Sequence, residues 1–387
     1  MPRMLESEEA ARRLGVKVPT LYAYVSRGLL DSHPSVDGRR SLFDAEDLER
    51  LARRSRGGRR VESRLATVTT AVTQLRDDGP AYRGRPATDL ATTTRYEEVA
   101  DLLWGAPPGS WEASALPDPP SLGTSERLRW AALMAGSIDP LRADLRPEAV
   151  IAAARRLLAT VVEALPLPVP GDPGPPGADG GPVAARLTAR LVPAVTPELI
   201  STVNSALILL ADHELATSTV AVRVAASTRA DLYDATLAGL ATLAGPLHGG
   251  ASQLAYSLLA DAQRHGPEQA LNDTLRFQGT LPGFGHTVYT QGDPRARVLF
   301  GCFARLADDD QRVLLAEVMG LAADHRIPAA NVDLGLAAVT WATGMAADAG
   351  RTIFTVARLA GWTAHYLEEL QERPLRFRAR AIYATAG

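Results

Sequence analysis

The stretch LPGFGHTVYTQGDPRA, residues 281–296, interrupts the helical text around it. Pro282, Gly283 and Gly285 bend the chain and let a ligand come close to the backbone. His286 follows the bend directly. Asp293-Pro294-Arg295 then sets an acid and a guanidinium at the start of the next helical pattern. Two other segments share this habit. AGPLHGGA, residues 244–251, holds His248 between a proline and paired glycines. NVD, residues 331–333, brings in Asp333, and FTVARLAGW, residues 354–362, carries Arg358. Singly, these residues have ordinary readings. A histidine beside glycines is often a turn residue, an aspartate there a helix cap, an arginine a surface or ion-pair group. Their order along one chain is what points to a site.

Outside these segments apolar residues recur at helical spacing, and alternating strand patterns are almost absent. Helices are expected at Pro147–Leu165, Ala184–Leu191, Pro197–Leu210, Thr219–Leu243, Asp309–Ala323 and Val339–Leu370. The fold class is therefore all-α. At 387 residues, 46% hydrophobic and 22% charged, the chain can bury a large core over two or three domains. No apolar run reaches membrane-spanning length without a charge or a Pro/Gly break. The N-terminus lacks the apolar core of a signal peptide. The single cysteine, Cys302, allows no intrachain disulfide. These features lead us to expect a cytoplasmic protein with no membrane partner. Residues 166–182, PLPVPGDPGPPGADGGP, read as an extended surface loop.

Charge is uneven. Residues 1–60 carry 13 Lys/Arg against 9 Asp/Glu, within a chain of net charge −3. This basic end also has its own pattern. A helix is expected from Ser7 to Leu14. A second opens at Pro19 and closes at Gly28. Asp37-Gly38 supplies a hairpin turn, and Asp44 caps a third helix, Ala45–Arg54. Helix, turn, helix, small wing, helix is a winged helix-turn-helix order. The string resembles the DNA-binding domain of the MerR and excisionase type. DNA is thus a candidate partner, with Thr20, Tyr22 and Arg27 facing the major groove and wing residues Arg39 and Arg40 on phosphates. Few of these side chains are of the base-reading types, so a docking or oligomerisation role stays open.

Taken together, GPLHGGA, GFGHTVY with DPRA, NVD and FTVARLAGW are similar to the successive signature segments of citrate synthases and 2-methylcitrate synthases. Tyr82-Arg83-Gly84 and YEEVADLLWG at 96–105 look like the family's opening segment, ADHEL at 211–215 like its substrate-histidine helix, and RARAIY at 378–383 like its C-terminal arginine motif. The resemblance covers about residues 60–387. It implies large and small helical domains with the active site in the cleft between them. On that pattern, 1–55 is the helix-turn-helix domain, 56–80 a linker with a short helix, 81–248 plus 339–387 the large domain, and 249–338 the small domain.

The resemblance also implies a chemistry: condensation of acetyl-CoA or propionyl-CoA with oxaloacetate, then thioester hydrolysis. In that scheme Asp333 is the base at the acyl carbon, His248 donates to the enolate oxygen, and His286 donates to the keto oxygen. His213 helps to hold the oxo acid, and Arg295, Arg358 and Arg378 clamp its two carboxylates. Arg378 comes from a partner subunit in the family, so a homodimer with a shared site is implied. Acyl-CoA is a co-substrate, with no bound cofactor and no metal expected. Thr287 and Thr290 replace basic residues that relatives use near CoA, Ala216-Thr217-Ser218 replaces a segment with Asn, and Ser252 stands at another frequent Asn position. Two alternatives remain: a DNA-binding regulator with a metabolite-sensing body, and an inactive partner of another synthase subunit.

Overall fold

The computed structural model describes residues 4–14, 18, 21, 25, 30, 32–35, 41–45, 47–48, 68–169 and 181–378. The chain forms two compact units, 1–68 with 377–387 and 69–376.

In the first unit, strands β1 (Met4–Glu6), β2 (His33–Pro34) and β3 (Ser41–Asp44) form an antiparallel sheet in the order β1-β3-β2. Helix α1 (Ser7–Leu14) follows β1 directly, and Val18, Leu21, Val25, Ala45 and Leu48 are helical. Leu5, Ala10, Leu21, Phe43 and Leu48 make its small core. The wing strands are where the sequence puts them. The strand Met4–Glu6 was not foreseen; pairing Leu5 opposite Phe43 buries both side chains. The expected turn Asp37-Gly38 and the candidate DNA contacts Thr20, Tyr22, Arg27, Arg39 and Arg40 lie outside the described residues.

The second unit is mostly helical. No helix appears at 68–80, the described part of the segment read as linker and short helix. A hairpin stands there instead: β4 (Thr73–Arg76) pairs with β5 (Gly79–Tyr82), which pairs with β6 (Arg85–Pro86). Asp77-Asp78 with Gly79 at φ +118° makes the turn and folds the chain back on itself before a helix can form.

Helices α2 (Ala87–Thr93), α3 (Tyr96–Trp104), α4 (Thr124–Ile138), α5 (Pro147–Glu163), α6 (Val183–Leu191) and α7 (Pro197–Leu210) follow. Then come α8 (Thr217–Ser227), α9 (Leu232–Leu243) and the one-turn α10 (Pro246–Gly249). The last group is α11 (Ala251–His265), α12 (Pro267–Gln278), α13 (Pro294–Leu306), α14 (Asp309–Asp324), α15 (Val332–Ala342) and α16 (Ala349–Leu370). Two expected helices are each broken. Thr219–Leu243 divides because Arg229 adopts φ +65° and Asp231 caps α9 through the amide of Asp234. Val339–Leu370 divides at Gly344, φ +64°.

Two hydrophobic cores result. One spans α2–α9 and most of α16; the other joins α11–α15. Helix α16 is buried along most of its length, with Trp362 fully enclosed. The opening segment clasps it: the Tyr96 hydroxyl donates to the Ala357 carbonyl at 2.8 Å, and the Trp104 indole to the Ala360 carbonyl at 2.9 Å. Such bonds make buried polar groups on large aromatics tolerable and fix the register of the helix. No described helix is long and apolar enough to cross a membrane.

Candidate active site

Four loop or helix-end segments and the buried helix α16 carry the site. The first is the bend at 281–293. Gly283 and Gly285 adopt φ +84° and +77°, and a Cβ on Gly283 would stand 2.8 Å from that of Leu334. Only glycine fits there. The bend is tied to 329–331 by Gly285 N–H to Ala329 O (2.8 Å) and Asn331 N–H to Gly283 O (2.9 Å). His286 emerges from it. Its Nδ1 accepts from the amides of Val288 (3.0 Å) and Tyr289 (3.2 Å), which puts the ring proton on Nε2. Arg295 Nη2 lies 3.4 Å from that nitrogen. Two donors that close are arranged to share an acceptor oxygen between them.

Asp293 builds the next piece. It caps α13, accepts from Arg295 N (3.0 Å), and grips the same guanidinium through Nε (3.0 Å) and Nη2 (2.8 Å). It also accepts from Val332 N at 3.0 Å, the first amide of α15. That helix is capped by Asn331, whose Oδ1 accepts from Asp333 N at 2.9 Å while its amide donates to Gly285 O. Asp293 therefore fixes the arginine and the base-bearing helix together. Its own burial disfavours the charge, but Arg295 outweighs that and holds the carboxyl below its usual range. Asp333 goes the other way. Burial pushes its carboxyl up to about 6, with the negative charge of Asp293 adding and the charges of Arg295 and Arg358 opposing.

The third piece is the turn after α7. His213 packs edge-on to His286 and Tyr289, with ring centroids 5.3 and 5.8 Å apart. Burial, reinforced by Arg295 and Arg358, keeps its imidazole neutral well below the ordinary histidine range. The fourth is His248 on α10. Its Nε2 meets Ser218 Oγ at 2.8 Å and the Ser218 amide at 3.4 Å, while Trp362 Nε1–H donates to the same hydroxyl at 3.3 Å. With the Ser218 amide aimed at Nε2, the proton belongs on Nδ1. Burial and then Arg358 lower the His248 pKa, so this ring too is a neutral donor. Arg358 is 1% exposed, stands 4.7 Å over the Phe354 ring and donates through Nε to Leu210 O.

His213, His248, His286, Arg295, Asp333 and Arg358 thus form one electrostatic group: Arg295 and Arg358 both act on His213 and Asp333. Of the buried polar atoms in and beside it, His213 Nε2, Tyr289 Oη and Arg358 Nη1 have no hydrogen-bond partner among the described residues. Buried polar atoms without partners are costly, and a bound polyoxygenated acid would accept from the Arg358 N–H and the Tyr289 hydroxyl. Arg378 is exposed and belongs to the other compact unit, 1–68 with 377–387. Thr287 and Thr290 are exposed. Ser218, Tyr289 and Asp293 were not singled out by the sequence as site residues. Only Tyr289 and Asp293 had a signal, their place inside the 281–296 stretch. A cavity of about 820 Å³ beside Glu97, Trp111 and Arg186 contains none of these groups. Among the described residues no three His, Cys, Asp or Glu side chains group as metal ligands.

The chain is similar to known proteins along most of its length. The family described as "Citrate synthase, C-terminal domain" matches residues 119–380, and a helix-turn-helix domain family matches 4–56. Citrate synthase 2 of Bacillus subtilis is 30% identical over 352 residues, 82% of this chain and 94% of the relative. The 2-methylcitrate synthase 2 of Corynebacterium glutamicum is 34% identical over 188 residues, 47% of this chain and 49% of the relative. Among solved structures, the citrate synthase of Thermoplasma acidophilum in complex with carboxymethyl coenzyme A and oxaloacetate superposes with TM-score 0.69 at 24% identity, over 86% of this chain and 96% of that one.

Proposed function

The chain belongs to the citrate synthase family, and on that premise we propose that this cleft joins an acyl-CoA to oxaloacetate. Acetyl-CoA would give citrate and propionyl-CoA 2-methylcitrate, with CoA released by hydrolysis of the thioester. The observation that carries the reading is the pair of neutral histidines, each with its ring proton placed by an amide that donates to the other ring nitrogen, in one electrostatic group with a carboxyl raised to about 6. Asp333 takes a proton from the acyl carbon. His248 Nδ1–H donates to the thioester oxygen as it becomes an enol. His286 Nε2–H and Arg295 then receive the oxygens of the oxo acid as the new carbon–carbon bond forms. Neutral imidazoles suit this work, since a weak acid can share a proton with an enolate without quenching it. Arg358 and His213 hold the second half of the oxo acid. Acyl-CoA enters as a co-substrate.

The test is thiol release from acetyl-CoA and propionyl-CoA, each with oxaloacetate. Turnover should appear with at least one of them, and kcat should fall about tenfold per pH unit below about 6, as Asp333 takes up its proton. Silence with both acyl-CoAs at saturating oxaloacetate would leave the site without this function.

The working form is a cytoplasmic homodimer in this reading, with Arg378 supplied by the partner chain. Leu133, Ile138 and Leu141, on and just after α4, support it, being 54%, 47% and 62% exposed in the single chain. Exposed large apolar side chains close together in the chain are what a subunit interface would cover. Light scattering should return twice the chain mass of 41.1 kDa.

The helix-turn-helix match at 4–56 favours a second partner, DNA. Two copies on a dimer suit a site with two-fold symmetry. A mobility shift with the DNA upstream of the protein's own coding sequence, at low and moderate salt, should show a sequence-selective complex. Complexes that any DNA competes away equally would argue instead for a docking role.

A further inference from the structure

His213 is presented by a tight turn, and that turn is held from behind. Asp212 is fully buried. Its amide and carbonyl both meet the Tyr82 hydroxyl, at 3.3 and 3.2 Å, and its Oδ2 accepts from Glu214 N at 3.1 Å. Glu214 has φ +54°, a strained value that the surroundings must enforce. Gly361 of α16 closes the other side: its N–H donates to Ala211 O, and a Cβ there would come within 2.3 Å of Asp212 Oδ1.

One side chain completes this support. His365 is 0% exposed and four residues beyond Gly361 on α16. Its Nδ1 lies 2.9 Å from Arg223 Nη1, and its Nε2 lies 3.3 Å from Asp212 Oδ2. Arg223 can only donate, so Nδ1 accepts, the ring proton sits on Nε2, and Nε2–H donates to Asp212. Arg223 is itself held by Glu369 and Glu368, each at 2.9 Å. Glu369 also grips Arg376, at 2.7 and 2.6 Å, two positions before Arg378. A single buried chain of hydrogen bonds therefore runs from the His213 turn to the root of the C-terminal segment.

We propose that His365 is a positioning residue for oxo-acid binding, acting as a two-ended bridge that braces Asp212 against Arg223 and so sets the His213 ring. It touches no reacting atom. The proposal rests on the reading that this site takes oxaloacetate. A fixed first-contact group needs such a second tier, because a small displacement of a buried donor costs much of its hydrogen bond.

Two amides separate the two ends of the bridge. The amide of Gln reaches the place of Nε2 and can still donate to Asp212, whereas that of Asn reaches only the place of Nδ1. Oxaloacetate binding is measured by calorimetry on the wild-type chain and on His365→Gln, His365→Asn and His365→Leu, with KM for each substrate and the melting temperature alongside. The expected result is a Kd for oxaloacetate raised about tenfold or more in the Asn and Leu variants and within about threefold of wild type in Gln, the loss of one hydrogen bond to a charged group. KM for acyl-CoA should move by less than about threefold. Should the Leu variant fail to fold, the Asn–Gln contrast still decides. Wild-type affinity in the Asn variant overturns the proposal. So does a loss shared equally by both substrates and all folded variants in step with melting temperature, which is what a purely structural residue would show. A wild-type chain that binds no oxaloacetate overturns the reading of the site itself, and this inference with it.

Discussion

Asp333→Asn is expected to lower kcat by about 10³-fold or more and, at neutral pH, to raise the melting temperature. The two effects have one origin. Asp333 sits in the first turn of α15, where the helix dipole, Arg295 and Arg358 favour its charge, yet burial and the neighbouring Asp293 prevail and lift its pKa to about 6. A carboxylate at that value is basic enough to attack a carbon acid and still ionised at pH 7. The stability consequence follows by linkage. An acid whose folded pKa is raised binds its proton more tightly when folded, so it destabilises the protein increasingly as pH rises from about 4 through about 6. Above that window the destabilisation is about 1–2 kcal/mol, since the side chain is only partly buried.

Asparagine keeps the shape and removes the charge. The variant should therefore melt a few degrees higher at pH 7.5, and the gain should shrink as pH falls toward 4. Thermal unfolding at several pH values, paired with thiol release, checks both halves. A variant that is inactive and also less stable at every pH would make Asp333 a structural ion-pair partner rather than a strained base.

How much of this was legible in the sequence depends on the range of the interaction. Helices such as Pro197–Leu210 could be read because their periodicity and Pro-led starts are local. The breaks at Thr228–Asp231 and Gly344 were not, since Arg229 in a left-handed conformation has no one-residue signature. The hairpin at 73–82 was missed because a short Thr-Gln-Leu-Arg run declares nothing until Gly79 turns it back. Within the site, His248, His286, Asp333 and the two buried arginines stood out through glycine and proline neighbours. Ser218 did not: its partner His248 is 30 residues away, and the serine lay inside a segment read only as a departure. His365 is farther from view still, 153 residues from Asp212 in an unbroken helix whose pattern says only that it is buried. Arg378 shows the opposite limit. The sequence motif names it, but its expected place depends on a second chain.

The second large effect is expected at Asp293. Asp293→Ala should cost about 3–5 kcal/mol of stability and cut kcat/KM for oxaloacetate by about 10²-fold or more. The carboxylate is 4% exposed, and its two oxygens accept four hydrogen bonds, three from Arg295 and one from Val332. Removing it strands a guanidinium that is only 3% exposed and already feels the like charge of Arg358. The freed Arg295 would no longer be aimed at the His286 donor, so the acceptor oxygen they share loses its second contact. Asp293→Asn is the gentler probe, since one oxygen remains for two of the four bonds. Electrostatics supply a readout that loss of packing would not mimic. The Asp293 charge helps to keep the Asp333 pKa high, and Arg295 works against it. Neutralising residue 293 removes the first influence and leaves the second unopposed. The acid limb of kcat in Asp293→Asn should therefore move to lower pH than in the wild-type chain. A slower variant whose acid limb stayed in place would mean that Asp293 serves the fold alone and does not tune the base.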